Sequence, residues 1–94
     1  MGLSQAKQQV LACLKSGHYL NEDRVGIEGK NLFAVGLVSE EALIKVIQAC
    51  TGLQYFEKPH DFIKGLNVHI MKIGGWYIKF YFMEPDCVFI SVHR

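Results

Sequence analysis

The sequence predicts an α+β domain in which two helices pack on one face of a mainly antiparallel sheet, with a three-strand meander at the C-terminal end. Three observations carry that prediction. Residues 39–52, SEEALIKVIQACTG, place apolar side chains at i, i+3, i+4 and i+7 between a serine and a glycine, the pattern of a capped amphipathic helix. Residues 66–94 hold three strand-like runs, LNVHIMKI, WYIKFYFM and CVFISVHR, broken only by Gly74-Gly75 and by Glu84-Pro85-Asp86. The chain has 94 residues, enough for one core and one domain.

Each element follows from local chemistry. From Ser4 to Ser16 the residues Ala6, Val10, Cys13 and Leu14, with Leu3 just before, recur at helical spacing; Ser4 is the expected cap and Gly17 the left-handed stop. Residues 18–30, HYLNEDRVGIEGK, hold no sustained period and read as a loop or a short irregular element. The run NLFAVGLV, residues 31–38, reads as a strand weakened by Gly36. In the second helix Ser39 caps, Glu40 and Glu41 sit where the helix dipole favours acids, Leu43, Val46, Ile47 and Cys50 form the buried face, and Gly52 terminates. Residues 53–65 read as an ordered connection that packs Tyr55, Phe56 and Phe62, with Pro59 arguing against a central strand.

Half of the residues are hydrophobic and a fifth are charged, a folded composition. The formal net charge of +1 excludes the broad basic excess of extended nucleic-acid interfaces, so such a role would rest on a local patch. Cys13, Cys50 and Cys87 are odd in number and set in apolar runs, which points to buried reduced thiols and a cytoplasmic setting. No run approaches the ~18 apolar residues of a membrane span, and no signal-peptide pattern opens the chain. His18, His60 and His69 show no ligand spacing, and there is no Cys-x-x-Cys motif, so neither a metal nor another cofactor is expected.

The meander makes a site possible. Strand alternation turns Trp76, Ile78, Phe80 and Phe82 toward the core and Tyr77, Lys79 and Tyr81 away from it. In the last strand Val88, Ile90 and Val92 are the matching core set, leaving Phe89, Ser91 and His93 on the other face, which Cys87 can share. A three-residue loop then pairs Met83 with Cys87, Tyr81 with Phe89, Lys79 with Ser91 and Tyr77 with His93. A two-residue Gly74-Gly75 turn sets Lys72 opposite Tyr77 and turns His69 inward, whereas a three-residue loop does the reverse; the glycine pair favours the first. A phenol, an imidazole and ammonium groups on one sheet face suit metal-free RNA cleavage, which needs a base for the 2′-hydroxyl, an acid for the leaving oxygen and cations for the phosphate. The same residue types are common on any solvated sheet face.

Four segments, LSQAK, GLVSEEALIK, WYIKF and FISVHR, together resemble the motility quorum-sensing regulator toxins, small mRNA interferases of RelE-like fold from bacterial toxin–antitoxin pairs. The resemblance implies functional roles for Lys45, Tyr77 and His93. It departs from the family in two places: histidine stands where the family has a final lysine, and the family's glutamine, due near Glu57 or Lys58, is not evident. The expectation is that His93 and Tyr77 transfer protons, that Lys79 and Lys45 stabilise phosphate charge, and that Lys72, Tyr81, Arg94 and Lys58 hold RNA. The implied partners are mRNA and a cognate antitoxin protein, without a membrane. From spacing alone Lys45 lies opposite the buried helix face, the position of a solvated lysine. The alternative function is a non-catalytic RNA-binding or protein-interaction module of similar fold.

Overall fold

Leu3–Ser16 form helix α1, burying Ala6, Val10, Cys13 and Leu14 on one stripe. Its cap is Gly2 rather than Ser4, which lies inside the first turn, while Gly17 takes the left-handed conformation at φ 79° that ends the helix. The computed structural model describes residues 1–22 and 27–94. In the stretch expected to be irregular, Tyr19–Asn21 form a short strand β1 and Ile27–Lys30 a single helical turn α2.

Residues 31–38 are the clearest departure from the sequence pattern. They fold as consecutive turns, with Val38 and Leu37 both donating to the Leu32 carbonyl and Gly36 at φ 82°. Their contacts with the sheet are local: Asn31 makes an isolated bridge to Val92, Leu32 N–H donates to the Val92 carbonyl at 2.7 Å, and the Phe33 ring packs on Phe89. The buried Asn31 side chain holds the segment: Nδ2 donates to Asn21 Oδ1 at 3.0 Å and to the Phe89 carbonyl at 3.3 Å, and Oδ1 accepts from Ala34 N–H at 3.0 Å.

Helix α3, Glu40–Gln48, starts as its sequence requires, with Ser39 Oγ accepting from Ala42 N–H at 3.1 Å. It ends at Ala49, before Gly52. A cation does what a glycine was expected to do: Lys7 of α1 reaches across and donates to the Gln48 carbonyl at 3.0 Å and the Cys50 carbonyl at 2.7 Å. Gly52–Gln54 make one 3-10 turn that leads into β2, Tyr55–Pro59.

The remaining strands are β3, Asn67–Ile73, β4, Trp76–Met83, and β5, Asp86–His93. The sheet has five strands in the order β1-β5-β4-β3-β2, mixed because β1 runs parallel to β5. Pro59 closes β2 at the sheet edge, where its missing N–H costs no ladder bond. The α+β class therefore holds, with both long helices packed on one sheet face: Val10, Leu14, Leu43 and Ile47 share a core with Met71, Ile78, Phe80, Phe89 and Val92. No helix among the described residues is long and apolar enough to cross a membrane.

One bulge changes the register of the last hairpin. Tyr77 pairs with His93 and Lys79 with Ser91, as alternation requires, but the ladder then shifts so that Phe80 pairs with Phe89 and Tyr81 with Val88. Ile90 is the extra residue. The slip turns Phe89 and Cys87 into the helix-side core, both fully buried, and moves Val88 and Ile90 to the opposite face. The hairpin loop is accordingly the two residues Glu84-Pro85, with Met83 opposite Asp86.

Candidate functional site

The face away from the helices carries Phe56 and Lys58 of β2, Val68, Ile70 and Lys72 of β3, Tyr77, Lys79 and Tyr81 of β4, and Ser91 and His93 of β5. Gly74 and Gly75, at φ 52° and 87°, make the tight turn that pairs Ile73 with Trp76 and so fixes Lys72 opposite Tyr77. No acidic residue occurs from Asn67 to Met83 or from Cys87 to Arg94. Among the described residues Lys58 and Lys72 form no ion pair, so their charge is available to an anion, whereas Lys79 shares a pocket with Glu22 and Asp61.

Tyr77 and His93 meet across β4 and β5 with ring centroids 5.1 Å apart and planes 20° from parallel. Lys72 Nζ lies 5.9 Å from the Tyr77 ring centroid and 5.4 Å from that of Phe56, a cation held over two aromatic faces. His93 Nδ1 is 3.1 Å from the Arg94 carbonyl oxygen. A carbonyl only accepts, so Nδ1 carries the proton in this contact and Nε2 of the neutral ring keeps a lone pair for proton abstraction.

Two expected participants, Lys45 and Arg94, stand elsewhere, and a third, Tyr81, is covered. Lys45 is exposed on α3, whose buried residues Leu43 and Ile47 pack on the opposite side of the sheet, so it does not meet Tyr77 or His93. Arg94 lies over Trp76, its guanidinium carbon 4.6 Å from the ring centroid, and Trp76 belongs to the helix-side core. Tyr81 is on the expected face but only 8 % exposed, packed with Val68, Val88 and Ile90 beneath the His60 ring at 5.2 Å, so it offers no free stacking surface. Lys58 sits on the edge strand, opposite Val68, at the margin of the face.

Two groupings have no clear signal in the sequence. Residues 60–66 fold over part of the open face, and with Glu22, Val68, Lys79 and Ile90 the side chains of His60, Asp61 and Phe62 line a small pocket there. On the helix side, His69 is 3 % exposed and its Nδ1 lies 2.7 Å from the Tyr55 hydroxyl, which donates to Glu57 Oε1 at 3.1 Å. Asn67 Nδ2 donates to the other Glu57 oxygen at 2.8 Å. Burial holds the His69 imidazole below its usual range against the pull of Glu57, so it is neutral at physiological pH. Burial and the bond to Glu57 push the Tyr55 phenol up. Burial alone would raise Glu57, but the bonds from Asn67 and Tyr55 outweigh it and hold the carboxyl low. This cluster ties β2 to β3. The thiols of Cys13, Cys50 and Cys87 are all pushed up by burial, and Cys87 lies on the helix side rather than the open face, so none is a nucleophile there.

No family model, curated protein or solved structure matches this chain.

Proposed function

We propose that this chain is the toxin of a bacterial type II toxin–antitoxin pair, a metal-independent endoribonuclease of RelE-like architecture that cleaves mRNA by 2′-hydroxyl attack in the cytoplasm. The observation that supports it is the meeting of Tyr77 and His93 on the open strand face beside Lys72. His93 Nε2 takes the proton from the 2′-hydroxyl, and that oxygen attacks the adjacent phosphorus. The Tyr77 hydroxyl protonates the departing 5′ oxygen, and Lys72 offsets charge on the phosphate. The products are a 2′,3′-cyclic phosphate and a 5′-hydroxyl. A cognate antitoxin neutralises the protein by binding it.

The position of Lys45 across the sheet favours a second reading, because a residue the resemblance supplies for chemistry is missing from the face. On that reading the face binds RNA without cutting it. Incubating purified protein with end-labelled RNA and analysing product ends decides between them. Cyclic-phosphate ends that fall about 10²–10⁴-fold with His93→Ala support the nuclease. RNA that is retained intact supports the binder, and RNA neither bound nor cut removes both.

A further inference from the structure

The pocket on the open face is built differently from the strands around it. Apolar Val68 and Ile90 line it together with His60, the cationic Lys79 and the acids Glu22 and Asp61. Those acids come from outside the acid-free strands, so they are the negative groups that an RNA strand crossing Lys79 would meet. Beside them Phe62 is 91 % exposed, a large aromatic ring with no burial to account for it. The loop that presents it is set by His60, whose Nδ1 accepts from the Phe62 and Ile63 N–H groups at 3.0 Å each while its ring stands edge-on to Tyr81.

Carboxylates repel phosphate, so this pocket does not take the backbone. They accept from the amino group of a base, and a neighbouring ammonium donates to ring nitrogen or carbonyl acceptors beside that amine. An exposed phenylalanine stacks on a base of any identity and adds affinity without choosing. The pocket volume, about 50 Å³, admits the edge of one ring. Cytosine combines an amine with two adjacent acceptors on a single ring; uracil offers an imide N–H and no amine. We infer that Glu22, Asp61, Phe62 and Lys79 form a subsite for a cytosine of single-stranded RNA, next to the Tyr77–His93 pair. The inference rests on the open face being an RNA surface, and it names what that surface selects.

The test uses the full chain and fluorescent uridine heptamers that carry one central cytosine, adenine, guanine or uracil, with binding read by anisotropy at fixed salt. The expected result is tightest binding of the cytosine heptamer, by about tenfold over the all-uracil one. Asp61→Asn should erase that preference while leaving uracil-heptamer binding in place, and Phe62→Ala should weaken all four alike, about 5–50-fold. Both side chains are exposed, so neither variant threatens the fold. Equal binding of all four heptamers, preference for a purine, or a preference that survives Asp61→Asn overturns the subsite and leaves the RNA surface standing. Absence of binding to every heptamer overturns the RNA surface and the subsite with it.

Discussion

Phe89→Ala tests the bulge at Ile90, and with it the face on which every residue of β5 before Ser91 lies. Phe89 is fully buried, with its ring 5.3 Å from Phe33, 5.8 Å from Phe80 and 6.4 Å from Tyr19. Truncation removes most of a fully buried aromatic side chain and leaves a cavity, at a cost of about 3–5 kcal/mol. With a urea dependence of about 1–1.5 kcal/mol per molar for a domain of this size, the unfolding midpoint should fall by about 2–5 M. A domain that starts near the low end of the usual ~5–15 kcal/mol would then be partly unfolded in water, so Phe89→Leu serves as the graded variant, with an expected loss of about 1–1.5 kcal/mol. Without the bulge, Phe89 would stand opposite Tyr81 in the place Val88 holds, outside the Tyr19, Phe33 and Phe80 rings and against only the small cluster of Val68 and Ile90, where truncation costs less. Urea titration followed by far-UV circular dichroism distinguishes the two cases. A Phe89→Ala midpoint within about 0.5 M of the parent would refute the register and the core assignment of Cys87 that depends on it.

Three further outcomes are expected. Lys7→Met keeps the side-chain stem and removes the ammonium that closes α3, and should lower stability by about 1–2 kcal/mol in the same titration; an unchanged midpoint would mean that solvent caps those carbonyls as well. His69 binds its proton less readily in the folded chain than in the unfolded one, so below about pH 6.5 the unfolded state takes up more protons and stability falls, by at most about 1.4 kcal/mol per pH unit; above that pH both states are neutral and the contribution is constant. Thermal melts of the parent and of His69→Phe between pH 5 and 8 check this, and equal slopes in the two proteins would count against it. Lys72→Ala should weaken single-stranded RNA binding and reduce the slope of log affinity against log salt by about 0.7, whereas Lys45→Ala should do neither; the opposite result would move the RNA surface to the exposed side of α3.

The parts of the fold that were legible in the sequence are those governed by local periodicity. The buried stripe of α1, the Ser39 cap and the Gly74-Gly75 turn each follow from a few adjacent residues, and the pairing of Tyr77 with His93 follows from alternation on two neighbouring strands. The parts that were not legible depend on partners distant in sequence. NLFAVGLV has a strand composition, but Asn31 finds its partners at Asn21 and Phe89 and holds the run in turns. Tyr19–Asn21 is too short to announce itself and exists because β5 offers a free edge. The bulge is invisible to a period-two reading because CVFIS is apolar enough to satisfy either face, and the choice falls to the aromatic pocket of Tyr19, Phe33 and Phe80. The same limit hid the pocket at Asp61 and Phe62, which no single motif spells.

The parallel pairing of β1 with β5 has a kinetic consequence. Tyr19 pairs with Cys87, so this contact closes a loop of well over half the chain, while β3, β4 and β5 are joined by turns of two residues. Short loops close at small entropic cost and long ones wait for a template. The meander should therefore form first, with β1 added to its edge late, as a seam sewn after the cloth is cut. Tyr19→Ala should then accelerate unfolding in stopped-flow urea jumps and leave the refolding rate nearly unchanged; a slowed refolding limb would place the seam in the nucleus instead.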